Sequence, residues 1–240
     1  MNKIKINLSD LDTVILAGGL GTRLKPVLKN MPKCLAKING KPFINILLDN
    51  CINQGLYRFI ICAGYLKEQV IENMDNYSNC EIIVSCEDKL LGTAGALKNS
   101  EKHIKSSDFL LMNGDTFIDF DINELLNTNK GYIGSILLCE KEDTSDFGTV
   151  HIDNHNIVMD FKEKIKFKQR GLINAGRYYF NKKILNYIPD KKEYSLEIDL
   201  LPEIIENEKL LGVKIESKLI DIGTPDNLLS ANRYFIDQTI

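Results

Sequence analysis

Apolar residues along this chain fall into two rhythms. Short continuous runs at Thr13–Leu16, Phe59–Ala63, Glu81–Cys86, Phe109–Met112 and Ile133–Cys139 lack the alternation of a strand with one wet face. They therefore predict strands buried on both sides. Between them the spacing lengthens: Phe43, Ile46, Leu47 and Cys51 share one helical face, with Pro42 at the first turn and Gly55 at the end. Cys34–Ile38 reads as a short extended segment closed by the turn pair Asn39-Gly40, Leu66–Met74 as a weaker helix, and Ile122–Asn129 as another. The second half is less regular. Asp153–Asn156 reads as a hairpin turn, Arg177–Phe180 and Lys218–Ile222 as strands, and Pro225 as the start of a C-terminal helix. Asn181 and Ser195 are placed to cap helices over Lys182–Ile188 and Leu196–Glu206.

Strands alternating with helical segments predict a single α/β domain, Rossmann-like, with three α/β/α layers around a mostly parallel mixed sheet. Ligands of such a sheet gather at the carboxyl ends of its strands. The length of 240 residues, 44% of them apolar, is enough for one full core over about 11–240, preceded by an extension, residues 1–10. Within it a division into two parts is expected at about residue 140. There is no internal repeat or low-complexity tract.

The net charge of −3 excludes a general nucleic-acid or membrane-surface role, so any anion site has to be built locally. No run is long enough for a signal peptide or a membrane span, which predicts a cytoplasmic protein. Six cysteines, Cys34, Cys51, Cys62, Cys80, Cys86 and Cys139, form no CxxC pair and lie mostly in apolar runs; neither disulfide nor zinc is expected. His151 and His155 stand four apart but flank a predicted turn, and read as surface residues.

The chemistry begins where the first strand ends. Leu16 to Lys33 reads LAGGLGTRLKPVLKNMPK, in which Gly18, Gly19 and Gly21 let backbone amides approach an anion. A dinucleotide fingerprint needs glycine at position 24, which is Leu24, and the Gly-Lys-Ser/Thr of a Walker A loop is missing. What remains is GGxGTRL followed by Pro32-Lys33. Arg23 and Lys33 together suit a polyphosphate better than a single phosphate. Asp115 follows the buried strand at Asn113-Gly114-Asp115; a carboxylate there needs a cation, water or a partner, though a turn-forming Asp would also fit. Gly92 and Thr93 open a helix after the strand ending at Cys86, where Thr93 could equally be a cap.

The segment GGLGTRLKPVLKNMPK resembles the opening motif of the sugar-1-phosphate nucleotidyltransferases, and the resemblance runs in order from about Asp12 to Phe235. It implies the nucleotide-diphospho-sugar transferase type of fold. It further implies nucleotide contacts from Leu16, Ala17, Gly18, Gly19, Gly21 and Thr22, with base contacts from Glu87, Gly92 and Thr93. Arg23 would serve the triphosphate and leaving pyrophosphate, Lys33 the region of the α-phosphorus. Asp115 and Asp221 match the two magnesium aspartates. Gly148, Glu163 and Asn174, the last in Asn174-Ala175-Gly176, match sugar contacts, and Lys164 the contact to the sugar phosphate. The proline that usually follows this Glu-Lys pair is replaced by Ile165. Glu197 and Asp199 are given structural roles only.

The implied reaction joins a nucleoside triphosphate to a sugar 1-phosphate with loss of pyrophosphate. Its nucleophile, a phosphate monoester already largely dianionic at neutral pH, needs no general base. Consistently, none of the three histidines lies in a motif. Glu87 favours GTP, because an acceptor-only carboxylate can take the two adjacent donors of guanine, whereas uracil or thymine suits an amide. The short chain most resembles the family members acting on D-glycero-α-D-manno-heptose 1-phosphate. Mannose- and glucosamine-1-phosphate guanylyltransferases, glucose-1-phosphate thymidylyl- or uridylyltransferases, and a noncatalytic nucleotide-sugar-binding regulator stay open, as does a homo-oligomer. A nicotinamide-dependent oxidoreductase is opposed by Leu24.

Overall fold

The computed structural model describes residues 7–126, 131–164 and 168–237. The chain enters through β1 (Asp12–Leu16), α1 (Lys25–Leu28) and a small ribbon of β2 (Lys37–Ile38) and β3 (Lys41–Pro42). Then come α2 (Phe43–Asn53), β4 (Arg58–Ala63), α3 (Lys67–Met74), β5 (Glu81–Cys86), α4 (Gly92–Asn99) and β6 (Asp108–Asn113). The second half holds β7 (Thr116–Phe117), α5 (Ile122–Leu125), β8 (Gly134–Lys141), β9 (Thr149–Ile152), β10 (Val158–Lys162) and β11 (Gly171–Asn181). It closes with α6 (Leu201–Asn207), β12 (Leu210–Ile215), β13 (Ile220–Asp221) and α7 (Pro225–Asp237).

One nine-stranded mixed sheet organises these elements, in the order β5-β4-β1-β6-β11-β8-β12, with β9 and β10 joined to the far end of β11. Strands β5, β4, β1 and β6 are mutually parallel, and β11 runs antiparallel to both β6 and β8. The next strand of this sheet in sequence, β4, lies to one side of β1 and β6 to the other, so the carboxyl ends of β4, β1 and β6 open side by side on one crevice. That is where a parallel sheet accepts ligands.

The continuous apolar runs are explained by burial on both faces. Ile15, Phe59, Ile61, Leu110 and Met112 enter one core, while Val14, Ile60, Cys62, Phe109 and Leu111 enter the other. A smaller third core, with Leu24, Ile38, Phe43, Phe117, Ile222 and Leu228, ties α7 to the ribbon and to the segment after β1. The cysteines are free thiols, four of them buried, and His151 and His155 are exposed, as their sequence contexts suggest.

Several boundaries differ from the sequence pattern. Residues 33–35 form a single helical turn, so only Lys37–Ile38 is extended, and Asn39-Gly40, both at positive φ, closes the ribbon. Pro42 precedes α2 at extended ψ instead of lying inside its first turn. The helix expected to Asn129 ends at Leu125; residues 127–129 lie outside the described residues. Asn174-Ala175-Gly176 does not precede a strand but lies within β11, where pairing with β8 shifts between Asn174 and Tyr178. Leu196–Leu200 begins as a π-helical turn before α6, with Ser195 capping it as expected, and the last strand shortens to Ile220–Asp221. Of the N-terminal extension, residues 1–6 lie outside the described residues; Leu8–Asp10 forms a helical turn, with Leu8 packed on the core.

At the amino end of the central strands Asp12, 1% exposed, forms an ion pair with buried Arg58 and accepts bonds from the Ser106 amide and hydroxyl. Removing Asp12 leaves the buried Arg58 cation with only the partly exposed Glu81 carboxylate, 3.0 Å from its Nε. Asp12→Ala should therefore cost about 3–5 kcal/mol of stability in urea unfolding followed by circular dichroism. A loss of about 1 kcal/mol or less, as for a solvent-exposed pair, would show that this bridge does not hold the sheet end.

Candidate active site

The loop after β1 leaves the sheet at Ala17, whose amide donates to the Cys62 carbonyl at 2.9 Å. Among the described residues no protein acceptor takes the amides of Gly18, Gly19, Leu20 or Gly21. Unpaired amides grouped beyond a strand end are donors for an anion. Gly21 needs its positive φ of 54°, and a Cβ there would lie 3.1 Å from the Lys33 Cβ, so loop and lysine pack directly.

Asp115 leaves the carboxyl end of β6, and its side chain is 37% exposed. β13 pairs with β7 so that Asp221 faces Thr116, and the Ile222 amide donates to the Asp115 carbonyl at 3.1 Å. Asp115, just before β7, and Asp221, at the end of β13, thus lie side by side. Lys33 Nζ lies 2.6 Å from Asp115 Oδ2. Asp221 Oδ1 accepts from the Gly223 amide and from Asn227 Nδ2, both at 2.8 Å. Gly223 lies against both charges: a Cβ there would stand 2.7 Å from Asp221 Oδ1 and 3.0 Å from Arg23 Nη2. Arg23, Lys33, Asp115 and Asp221 are therefore gathered in one place. Two carboxylates with room for phosphate oxygens and water form a donor set that suits a hard divalent cation. Among the described residues no cluster of three or more His, Cys, Asp and Glu could hold a metal by protein ligands alone.

On the other side of the glycine loop, Glu87 follows β5 and turns back over it. Its Oε1 would be 3.0 Å from a Cβ on Gly18 and 2.5 Å from one on Gly64, while Oε2 accepts from the Leu91 amide at 3.2 Å. Burial pushes its pKa up, and the Leu91 amide partly offsets this. Thr93 does not cap α4. Its hydroxyl donates to Glu197 Oε2 at 2.8 Å and accepts from the Leu196 amide at 2.7 Å. The Tyr194 carbonyl takes the amides of Ala94 and Gly95, each at 3.0 Å, and the Tyr194 amide donates to Leu91. This strap lies so close that a Cβ on Gly92 would be 2.6 Å from the Tyr194 oxygen. Gly92 thus serves strap packing as well as the turn.

Gly148, Glu163 and Asn174 also converge. A Cβ on Gly148 would meet the Phe161 ring at 2.5 Å and Glu163 Oε2 at 3.1 Å, and the Asn174 amide donates to the Gly148 carbonyl at 2.9 Å. Asn174 Nδ2 donates to the hydroxyl of buried Tyr178 at 2.6 Å, leaving its Oδ1 on the Gly176 amide. Lys164 lies beside Glu163, with Nζ 3.3 Å from Oε1, while Ile165 lies outside the described residues. Glu197 joins this side too: burial first, and the charge of Glu163 among lesser causes, raise its pKa. The sequence gives no sign of Asn227 behind Asp221, of Gly64 under Glu87, or of Glu197 bridging toward Thr93. Each contact joins residues whose neighbours look like ordinary caps or turns.

The chain is similar to known proteins over almost its whole length. The chain is 36% identical over 219 residues to the D-glycero-alpha-D-manno-heptose 1-phosphate guanylyltransferase of Campylobacter jejuni, covering 90% of this chain and 96% of that protein. It is 32% identical to the bifunctional protein GlmU of Methanococcus maripaludis, matching 96% of this chain but only 56% of that longer protein. Its backbone superposes on the crystal structure of HddC from Yersinia pseudotuberculosis complexed with GMP-PN with a TM-score of 0.84 at 35% identity, covering 94% and 99% of the two chains. Since residues 12–238, nearly the whole chain, match the model of the nucleotidyl transferase family, the protein is a member of that family.

Proposed function

We propose that this nucleotidyltransferase uses GTP and D-glycero-α-D-manno-heptose 1-phosphate, releasing pyrophosphate and forming the GDP-sugar. The observation that carries the nucleotide choice is Glu87, a carboxylate held against Gly18 and Gly64 beside the free amides of the phosphate loop. Guanine offers its N1–H and 2-amino group side by side, and a carboxylate accepts both. The heptose guanylyltransferase of Campylobacter jejuni, similar over almost its full length, supports the sugar choice.

In this reading the amides of Gly18 to Gly21, with Leu16, Ala17 and Thr22 beside them, cradle the triphosphate; Gly92 and Thr93 complete the base site with Glu87. Arg23 neutralises the β- and γ-phosphates as they become the leaving group. Lys33 exchanges Asp115 for oxygens near the α-phosphorus, and Lys164 leaves Glu163 to bind the incoming sugar phosphate. Glu163, Asn174 and the backbone at Gly148 orient the sugar. Asp115 and Asp221 would hold magnesium, which when bound supplies charge neutralisation between two polyanions. No side chain need remove a proton, because the attacking phosphate is already ionised. The residues instead hold nucleophile and α-phosphorus in line, the positioning on which phosphoryl-type transfers depend. Residues to about 140 then serve the nucleotide and those beyond mainly the sugar. The free thiols and the nucleotide substrate fit a cytoplasmic setting. Among the described residues no helix is long and apolar enough to cross a membrane.

Pyrophosphate release with magnesium, crossing GTP, ATP, CTP, UTP and dTTP against heptose, mannose, glucose and glucosamine 1-phosphates, tests the proposal. Release with GTP and the manno-heptose phosphate is the expected result. Release with dTTP or UTP and glucose 1-phosphate would remove the Glu87 argument, and silence throughout would favour a noncatalytic nucleotide-sugar binder. Arg23→Ala should lower kcat by about 10²–10³ while the circular dichroism spectrum is kept; near-normal turnover would remove Arg23 from the phosphate site. Glu87→Gln should lower kcat/KM for GTP relative to UTP by on the order of 10- to 100-fold, read in paired-substrate competition, and an unchanged ratio would refute base reading by this carboxylate.

A further inference from the structure

Arg177 belongs to none of the groups assigned so far. Its side chain is buried, with the residue 2% exposed, yet its guanidinium is bonded only to uncharged oxygens. Nη1 lies 3.2 Å from the Asn113 carbonyl, 3.0 Å from Thr116 Oγ1 and 2.9 Å from the Gly176 carbonyl; Nη2 lies 2.5 Å from the Thr116 carbonyl. Apart from Gly176, these acceptors bracket Asp115 in sequence on both sides. Burial pulls the pKa of Arg177 down to about 10, with the charge of Asp115 among the influences pulling it back up, so the group remains a cation at neutral pH.

A buried cation with no carboxylate bonded to it is a poor way to stabilise a core. The bulge in β11 is built to aim this residue: Gly176, at φ +66°, brings the strand so near β6 that a Cβ would lie 2.8 Å from Asn113 Nδ2. The planar fork of a guanidinium can span carbonyls before and after Asp115, which a single ammonium cannot.

We propose that Arg177 is a positioning residue that clamps the Asn113–Thr116 turn from both sides and so fixes the Asp115 carboxylate for the divalent cation. This rests on the reading of Asp115 as a cation ligand. By this account Arg177 touches neither substrate nor cation, and its effect falls on cation affinity and on turnover, with little on the sugar KM.

The test compares parent, Arg177→Met, Arg177→Lys and Asp115→Asn. Manganese binding is read by electron paramagnetic resonance with GTP present, alongside thermal unfolding and the magnesium dependence of pyrophosphate release. Arg177→Met should fold with a melting temperature lowered by the loss of these hydrogen bonds, bind manganese about 10- to 100-fold more weakly, and leave the sugar 1-phosphate KM within about twofold. Arg177→Lys should recover only part of the affinity. A folded Arg177→Met with parental manganese affinity overturns the proposal. If that variant fails to fold, Thr116→Val, which removes one acceptor, decides: weaker manganese binding at normal stability supports the clamp, and unchanged binding overturns it. Should Asp115→Asn bind manganese like the parent, it is the assignment of Asp115 that fails, an outcome distinct from failure of the clamp.

Discussion

The crevice depends on how closely β1 and β6 approach at their carboxyl ends. There the Gly114 amide donates to the Leu16 carbonyl at 2.9 Å, and a Cβ on Gly114 would stand 2.6 Å from that oxygen. This contact sets the glycine loop leaving β1 beside the turn that bears Asp115. Everything else in the site is arranged around that junction. Lys33 reaches it from beneath the glycine loop, β13 brings Asp221 alongside through β7, and β11 supports it from the neighbouring strand. Two-sided burial of the parallel strands supplies the rigidity, since neither strand can slide without moving two cores.

The electrostatics are local. The chain carries a net charge of −3, yet Arg23 and Lys33 are brought to the crevice by the segment after β1, and Lys164 lies beside Glu163 after β10. Two of them are held by carboxylates, Lys33 by Asp115 and Lys164 by Glu163. In the proposed mechanism these two cations are near their working positions, with the cost of assembling like charges met by pairing within the protein. Arg23 differs, being exposed near Asp221 across Gly223.

The parts legible from residues alone were those whose cause is short in range. The runs at Thr13–Leu16 and Phe59–Ala63 announce buried parallel strands because two-sided burial removes the polar half of the pattern. The loop from Gly18 to Lys33 is legible because its chemistry needs particular residues at fixed spacing. What escaped depends on contacts far apart in sequence: the Tyr194 strap across α4, Asn227 behind Asp221, and the bulge that turns Asn174-Ala175-Gly176 into the middle of a long strand. Thr93 illustrates the difference. Its place at a helix start invites the capping interpretation, but the strap supplies better partners, and its hydroxyl joins two segments about a hundred residues apart.

The contact between Lys33 and Asp115 has a further consequence. If Asp115 takes a divalent cation, the lysine is a tethered counter-ion that must be displaced, and its local concentration is fixed by the fold and independent of the solution. The site then works as an ion exchanger: the freed ammonium becomes available to a phosphate only as the carboxylate acquires another partner. Filling with cation and gripping of the nucleotide are thereby coupled through one side chain, which favours joint arrival of the two over either alone.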